Sequence, residues 1–338
     1  MNAHIRKQAS LVLALAACAG VFMDSCSMDG TFEIAADGES PYTIVLSGRA
    51  SPSEKHAADE LKNFIREATG AELTVVGENG AGPGTTPRIL IGMGPAAETL
   101  LAGTGPVDID RLGDEGFVIR TVAGNRSRPD IVIAGGRKRG TMYGVYTWLH
   151  RLGFRWYTTQ ITRLPEGKRV AAQVINERFV PPFMYRVPYI TEAFDPDWSA
   201  RNRVHSGGDP VDEKRGGKVE ILGSHTFDKL IPPELYREHP EYFPLIGGKR
   251  VTGYVQRCLS NPDVVKVAAK NMIAWMDENP DRHFFSLGQN DVEKLCECPE
   301  CTKILEEQGA PSGLFVYFAN QVAEIVEKVH PENYISIF

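Results

Sequence analysis

Three pieces of one stretch decide the fold: GSHTFDKLIPPELYREHPEYFPLIGGKR at 223–250, QRCLSNPD at 256–263 and FFSLGQNDVEKLCECPEC at 284–301. They set polar side chains and four cysteines just after short apolar runs. In a βα-barrel such positions are the C-terminal ends of strands, where substrates bind. From about Pro181 onward the chain alternates strand-like and helix-like segments, the rhythm of a parallel sheet with crossover helices. Strands are expected at 184–190, 254–259, 283–287 and 334–338, with helices at about 261–278 and 313–329. Four strands are half of an eight-stranded barrel. The sequence ends in Tyr334-Ile335-Ser336-Ile337-Phe338, an apolar strand pattern with no turn after it, which reads as a cut inside a domain.

Upstream, residues 32–167 read as a small α+β domain. Tyr42 to Leu46 is strand-like, and Ser51-Pro52-Ser53-Glu54 offers a capping box with proline at the first helical position. The following helix places Ala57, Ala58, Leu61, Ile65 and Ala68 on one face and stops at Gly70. Strands are expected at 73–76, 88–91, 116–121 and 130–134. A second helix carries Gly140 and Gly144, whose cost in helix propensity predicts close packing on the sheet. Tyr143, Tyr146, Trp148 and Trp156 are expected to pack in the core. Ile91-Gly92-Met93-Gly94-Pro95 has the glycine spacing of a dinucleotide fold but lacks the repeating βαβ context, so a turn and helix start is the better reading. The fold class expected overall is therefore α/β: an α+β accessory domain over 32–167, then, over 176–338, the first half of a (β/α)8 TIM-type barrel.

Asp291, in Gln289-Asn290-Asp291 after the third expected strand, is the first choice for a catalytic carboxylate, with an N-cap as the competing role. Asn290 beside it suits a sugar hydroxyl. His225 can donate to a substrate hydroxyl or carboxylate, and a structural histidine is an equal alternative. Arg203 and Arg257, with His205, are weaker candidates for binding an acidic sugar, since structural ion pairing is the commoner fate of arginine. His239-Pro240-Glu241 reads as a turn.

Cys296, Cys298 and Cys301 with Cys258 upstream form the most specific spacing in the chain. Four thiolates can hold a structural zinc, and in an exported protein disulfides are the rival. Either role would pin the loop that carries Asp291. The chemistry needs no other cofactor.

Arg6 and Lys7 precede an apolar stretch from Ala9 to Met23, the pattern of a secretory signal over 1–26. Cys26, followed by the polar Ser27-Met28-Asp29-Gly30, is favoured over Cys18 as a lipidation site, which predicts a cell-surface or periplasmic lipoprotein held to the membrane by its anchor. A net charge of −6, with no basic run beyond Arg137-Lys138-Arg139, argues against a nucleic-acid partner.

The order and wording of the three opening pieces resemble the family catalogued as domain of unknown function 4838, part of which is grouped as glycoside hydrolase family 163. The wording Arg139-Gly140-Thr141-Met142-Tyr143-Gly144-Val145-Tyr146, then Leu152-Gly153-Phe154-Arg155-Trp156-Tyr157, is similar to the N-terminal accessory domain of glycoside hydrolase families 20 and 67. The resemblance implies a glycosidase of a glycan-degrading bacterium, acting on an oligosaccharide or glycoprotein glycan in the manner of an endo-β-N-acetylglucosaminidase. It also implies that the principal acid and its partner carboxylate lie on later strands, beyond Phe338. The alternatives are an α-glucuronidase-like hydrolase, a glycan-binding surface lipoprotein without chemistry, and a scaffolding protein.

Overall fold

The computed structural model describes residues 30–338 apart from 81–85, 106, 124–127 and 210; Cys18, Cys26 and the signal segment lie outside the described residues. The chain forms two compact units. The first comprises the N-terminal part to Pro182 with the segments Asp197–Val204 and Val211–Gly217, and the second comprises Phe183–Pro196, His205–Pro210 and Lys218–Phe338.

In the first unit, β1 (Thr31–Ala36), β2 (Thr43–Leu46), α1 (Pro52–Thr69), β3 (Thr74–Gly77), β4 (Arg88–Ile91), α2 (Pro95–Ala102), β5 (Phe117–Val122), β6 (Asp130–Gly135) and α3 (Gly140–Arg151) follow in order. One six-stranded sheet runs from the strand Asn176–Phe179 through β5, β6, β4 and β2 to β3. The pairs β3–β2, β2–β4 and β4–β6 are parallel; β6–β5 and β5–Asn176–Phe179 are antiparallel. The central strands are apolar on both faces, as parallel strands covered on both sides must be. Ile44, Ile89, Ile91, Ile131 and Ile133 point into the core shared with α1 and α3, whereas Val45, Leu90, Val132 and Ala134 pack with Ala97 and Leu101 of α2. Helices on both faces make this unit more α/β than the expected α+β.

Local signals account for the helix ends. The Ser51 hydroxyl accepts from the Glu54 amide while the Glu54 carboxylate accepts from the Ser51 amide, and Gly70 closes α1 in the left-handed region at φ 82°. Glu54 Oε1 also receives the Thr141 hydroxyl at 3.1 Å, which joins the start of α1 to the start of α3. At the N-terminus of α2, where a dinucleotide fold would place a pyrophosphate, Glu78 Oε1 accepts from the Ala96 amide at 3.2 Å. Tyr143, Tyr146, Trp148 and Trp156 are all buried.

In the second unit, the strand Phe284–Ser286 lies parallel to Tyr334–Ser336. On its other edge Leu222 bridges Phe285 in parallel, and the Thr226 amide donates to the Gly288 carbonyl at 2.8 Å. Helices Pro262–Asp277, Pro299–Gln308 and Pro311–Val326 surround the array; the middle one was not foreseen. Val264, Ala268, Met272, Phe285, Phe318 and Val322 form its core.

Two of the four expected barrel strands do not form. Residues 184–190 and 254–259 carry no ladder. In the first, Pro188 has no amide to donate and Met184, Tyr189 and Ile190 are exposed. In the second, side chains bond the carbonyls that a neighbouring strand would use: Asn290 Nδ2 and Arg257 Nη1 take Val255, and Gln256 Nε2 takes Asn290 and Val292. The half-barrel expectation is thus not confirmed: the described residues of the second unit form a short parallel array flanked by irregular segments.

Gly144 lies where α3 meets the sheet: a β-carbon there would fall 2.8 Å from Ile133 Cγ2 and 3.3 Å from Phe117 Cβ. Gly144→Ala raises helix propensity but overpacks a buried contact. We expect a net loss of about 1–3 kcal/mol, read by urea denaturation.

Candidate functional site

The site is built at the C-terminal end of the strand Phe284–Ser286. Here Gly288 approaches Ser224 so closely that a β-carbon would lie 1.7 Å from the Ser224 carbonyl oxygen, which admits only glycine. Thr226 Oγ1 donates to the Ser286 carbonyl at 2.8 Å and accepts from the Gly288 amide at 3.0 Å. The segment 224–228 and the segment 288–292 are thereby locked side by side.

Two buried side chains hold the next layer. Asn290 is 1 % exposed and donates through Nδ2 to Asp228 Oδ1 at 2.8 Å and to the Val255 carbonyl at 2.9 Å. Arg257 has no exposed surface: Nη2 donates to Asp228 Oδ1 at 2.8 Å, Nε and Nη2 both reach the Ile231 carbonyl, and Nη1 takes Val255. Its guanidinium carbon lies 4.8 Å from the centroid of the Phe243 ring. Burial pulls the arginine pKa below its ordinary value, and the Asp228 carboxylate opposes that shift. Arg257, a sequence candidate for binding acidic sugars, is therefore corrected to an internal post: a guanidinium sealed from solvent, with donors spent on Asp228 and backbone carbonyls, has no reach to a substrate.

Around this layer the exposed groups gather. Asp291 is exposed and caps no helix; its amide donates to the Tyr254 hydroxyl at 3.1 Å, and the Tyr254 ring is 52 % exposed. Exposed His225 has Nδ1 2.6 Å from the Gln289 carbonyl, and since a carbonyl only accepts, Nδ1 carries the proton and Nε2 is the acceptor in the neutral ring. Asp228 keeps 40 % of its side chain exposed. The Oε1 of Gln256 and the Oδ1 of Asn290 are buried without a hydrogen-bond partner among the described residues. Exposed carboxylates, an imidazole and a tyrosine ring are groups that bind hydroxyl-rich molecules.

Arg203 belongs to the first unit, in the left-handed region at φ 59°. Burial, then Arg155, pulls its pKa down. His205 is buried and accepts the Arg186 amide on Nδ1 at 3.2 Å. His239 stacks on Tyr242 and meets Glu241 at 3.0 Å in a 3-10 turn. Asp228, Gln256 and Tyr254 were missed from the sequence. Asp228 sits in Phe227-Asp228-Lys229-Leu230, which reads as one amphipathic helical turn, and Gln256 had only its place beside Arg257 and Cys258 as a signal.

Cys258, Cys296, Cys298 and Cys301 converge, all buried and unbridged, with their sulfurs within 4.8 Å of one another. Cys258 Sγ lies 3.7 Å from Cys298 Sγ and 4.0 Å from Cys301 Sγ. The Leu245 amide donates to Cys296 Sγ at 3.3 Å and the Cys301 amide to Cys298 Sγ at 3.5 Å, where Cys298 caps the helix Pro299–Gln308. Hydrogen bonds from Cys258 and Cys301 favour the Cys296 thiolate, and the hydrogen bond to Cys296 pushes the Cys258 thiol up to about 11.

The family model described as Domain of unknown function (DUF4838) matches residues 156–338, and that described as Glycosyl hydrolase family 67 N-terminus matches residues 34–148. No curated protein matches the chain. Among solved structures the chain is similar to a family GH115 4-O-methyl-α-glucuronidase with specificity for decorated arabinogalactans (14 % identity, TM-score 0.44, 91 % of this chain and 42 % of that one). It is also similar to a mutant Streptomyces plicatus β-hexosaminidase in complex with GlcNAc (14 %, 0.41, 92 % and 64 %). A third is the GH20 β-N-acetylhexosaminidase from Streptomyces coelicolor (16 %, 0.40, 92 % and 65 %). The chain thus spans 42 % of the first of these proteins and 64 % of the second.

Arg257→Lys keeps the charge but loses the planar fork that serves Asp228, Ile231 and Val255 together. We expect about 2–4 kcal/mol of lost stability by chemical denaturation, from unmet buried carbonyls and a weakened buried pair.

Proposed function

The chain belongs to the DUF4838 family of domains of unknown function, and on that premise we propose that it is part of an exported glycoside hydrolase acting on a GlcNAc-containing oligosaccharide or glycoprotein glycan. The observation that carries the reading is the set of groups at one strand end: exposed Asp291, half-exposed Asp228 and the imidazole of His225, gathered around buried Asn290. Glycoside hydrolysis works through carboxyl groups on either side of the scissile bond, with further hydrogen bonds to sugar hydroxyls. The match of the first unit to the Glycosyl hydrolase family 67 N-terminus, ahead of the DUF4838 match, supports the same class. The GlcNAc part of the proposal rests on the resemblance of the three opening pieces to the DUF4838 family, part of which is grouped as glycoside hydrolase family 163.

In this reading Asp291 serves as a carboxylate for proton transfer or for orienting the sugar, and His225 Nε2 accepts a sugar hydroxyl, while Asn290 and Gln256, buried like Arg257, hold the loops in place. Arg257 and Asp228 hold the layer beneath. The exposed Tyr254 ring beside Asp291 favours a second reading, a glycan-binding surface protein, because such rings stack on sugar faces.

Assay of the full-length protein on GlcNAc-containing glycans separates the two. Hydrolysis is expected, and Asp291→Asn should lower kcat about a hundredfold or more with the fold unchanged by circular dichroism. Glycan binding without turnover in the unaltered protein selects the binding reading, and unchanged kinetics in Asp291→Asn remove Asp291 from the chemistry.

We place the protein at the cell surface or in the periplasm, anchored through a lipid on Cys26. Cys26→Ser should move it from the membrane to the soluble fraction on cell fractionation. Release by Cys18→Ser alone would reassign the anchor.

A further inference from the structure

We infer that Cys258, Cys296, Cys298 and Cys301 bind one tetrahedral zinc ion, and that this ion fixes the loops of the candidate site. The proposal is independent of the glycan reading, since it concerns the sulfur cluster and not the groups facing solvent.

The distances separate the two uses of paired cysteines. A disulfide needs its sulfurs about 2.05 Å apart. Four sulfurs about 2.3 Å from a central zinc are about 3.8 Å from one another, the edge of the tetrahedron. The recorded separations of 3.7 and 4.0 Å fall at that edge, and the whole set is contained within 4.8 Å. A thiolate set of this kind suits zinc among the common divalent ions.

The surroundings complete the arrangement. A zinc with four thiolates carries a net charge of −2, and charge of that sign wants donors around it. The backbone amides of Leu245 and Cys301 supply two, on Cys296 and Cys298. Arg250 Nη1 lies 3.6 Å from Cys296 Sγ, and the Ser260 hydroxyl lies 3.1 Å from Cys301 Sγ. With all four positions taken by sulfur, no site is left for a substrate or water, so the ion is structural.

Its consequence follows from the chain. Cys258 is the residue after Gln256-Arg257, and Cys296 lies five residues past Asp291. Phe243, whose ring faces Arg257, lies two residues before Leu245, whose amide donates to Cys296. One ion therefore ties together the segments that carry Gln256, Arg257 and Asp291.

The test is metal analysis of the full-length protein purified under reducing conditions without chelator, paired with thiol titration. One zinc per chain is expected, with the four thiols unreactive until a mercurial titrates them and releases the ion. Cobalt(II) in place of zinc should give the thiolate charge-transfer and visible ligand-field bands of a tetrahedral sulfur site. Because removing a ligand as in Cys298→Ser also threatens folding, zinc removal by chelator from the unaltered protein is followed by hydrogen exchange, which should rise at 254–258 and 288–298 before the rest of the second unit. Four freely titrating thiols without metal, two disulfides, or iron in place of zinc would each overturn the assignment.

Discussion

A guanidinium with no exposed surface governs the second unit. Burying Arg257 removes a permanent charge from water, a cost of several kcal/mol that only complete pairing offsets. The structure meets it with the Asp228 carboxylate, the carbonyls of Ile231 and Val255 and the face of Phe243. Asp228 and Ile231 come from the short helix Phe227–Leu230 and its C-cap, Val255 from the arginine's own segment, and Phe243 from a third stretch of chain. The arginine therefore sets where the segments lie, and Asn290, bonded to the same Asp228 and the same Val255, fixes the loop that carries Asp291 in register with them.

The first unit solves a different problem. Its strands bury apolar side chains on both faces, so shape rather than charge decides the packing. Alternate residues of β2, β4 and β6 feed two cores, one with α1 and α3 and the other with α2. Polar groups appear where helices begin. Glu54 closes its own capping box and reaches Thr141, and Glu78 occupies the start of α2. A carboxylate already seated there is a physical reason for that glycine-rich turn to serve as a helix start and not as a phosphate cradle.

The candidate site lies where backbone pairing stops. Beyond Ser286 the chain gives up its ladder, and side-chain amides take over the carbonyls of 255, 290 and 292. That exchange leaves Gln256 Oε1 and Asn290 Oδ1 buried without a hydrogen-bond partner among the described residues, an expensive feature of the loop. Beside it, Cys258, Cys296, Cys298 and Cys301 converge from the same loops.

What the sequence determined by itself was local. The capping box at Ser51 and Glu54, the stop at Gly70 and the spacing of Cys296, Cys298 and Cys301 each depend on residues within a turn or two, where geometry follows from covalent spacing. The strands at Phe284–Ser286 and Tyr334–Ser336 were legible for the same reason, as apolar runs between polar turns. Asn290 and Asp291 were legible as a polar pair after such a run, although their division into a buried amide and an exposed carboxylate was not. Tertiary structure alone decided that 184–190 and 254–259 form no ladder, that Arg257 faces inward, and that Asp228 joins it. An apolar, β-branched segment has the same local preference whether or not a neighbour arrives to pair with it, and a guanidinium is equally at home in water or between carbonyls. Only the three-dimensional positions of Asp228, Ile231, Val255 and Asn290, brought together from distant parts of the chain, settle which it is.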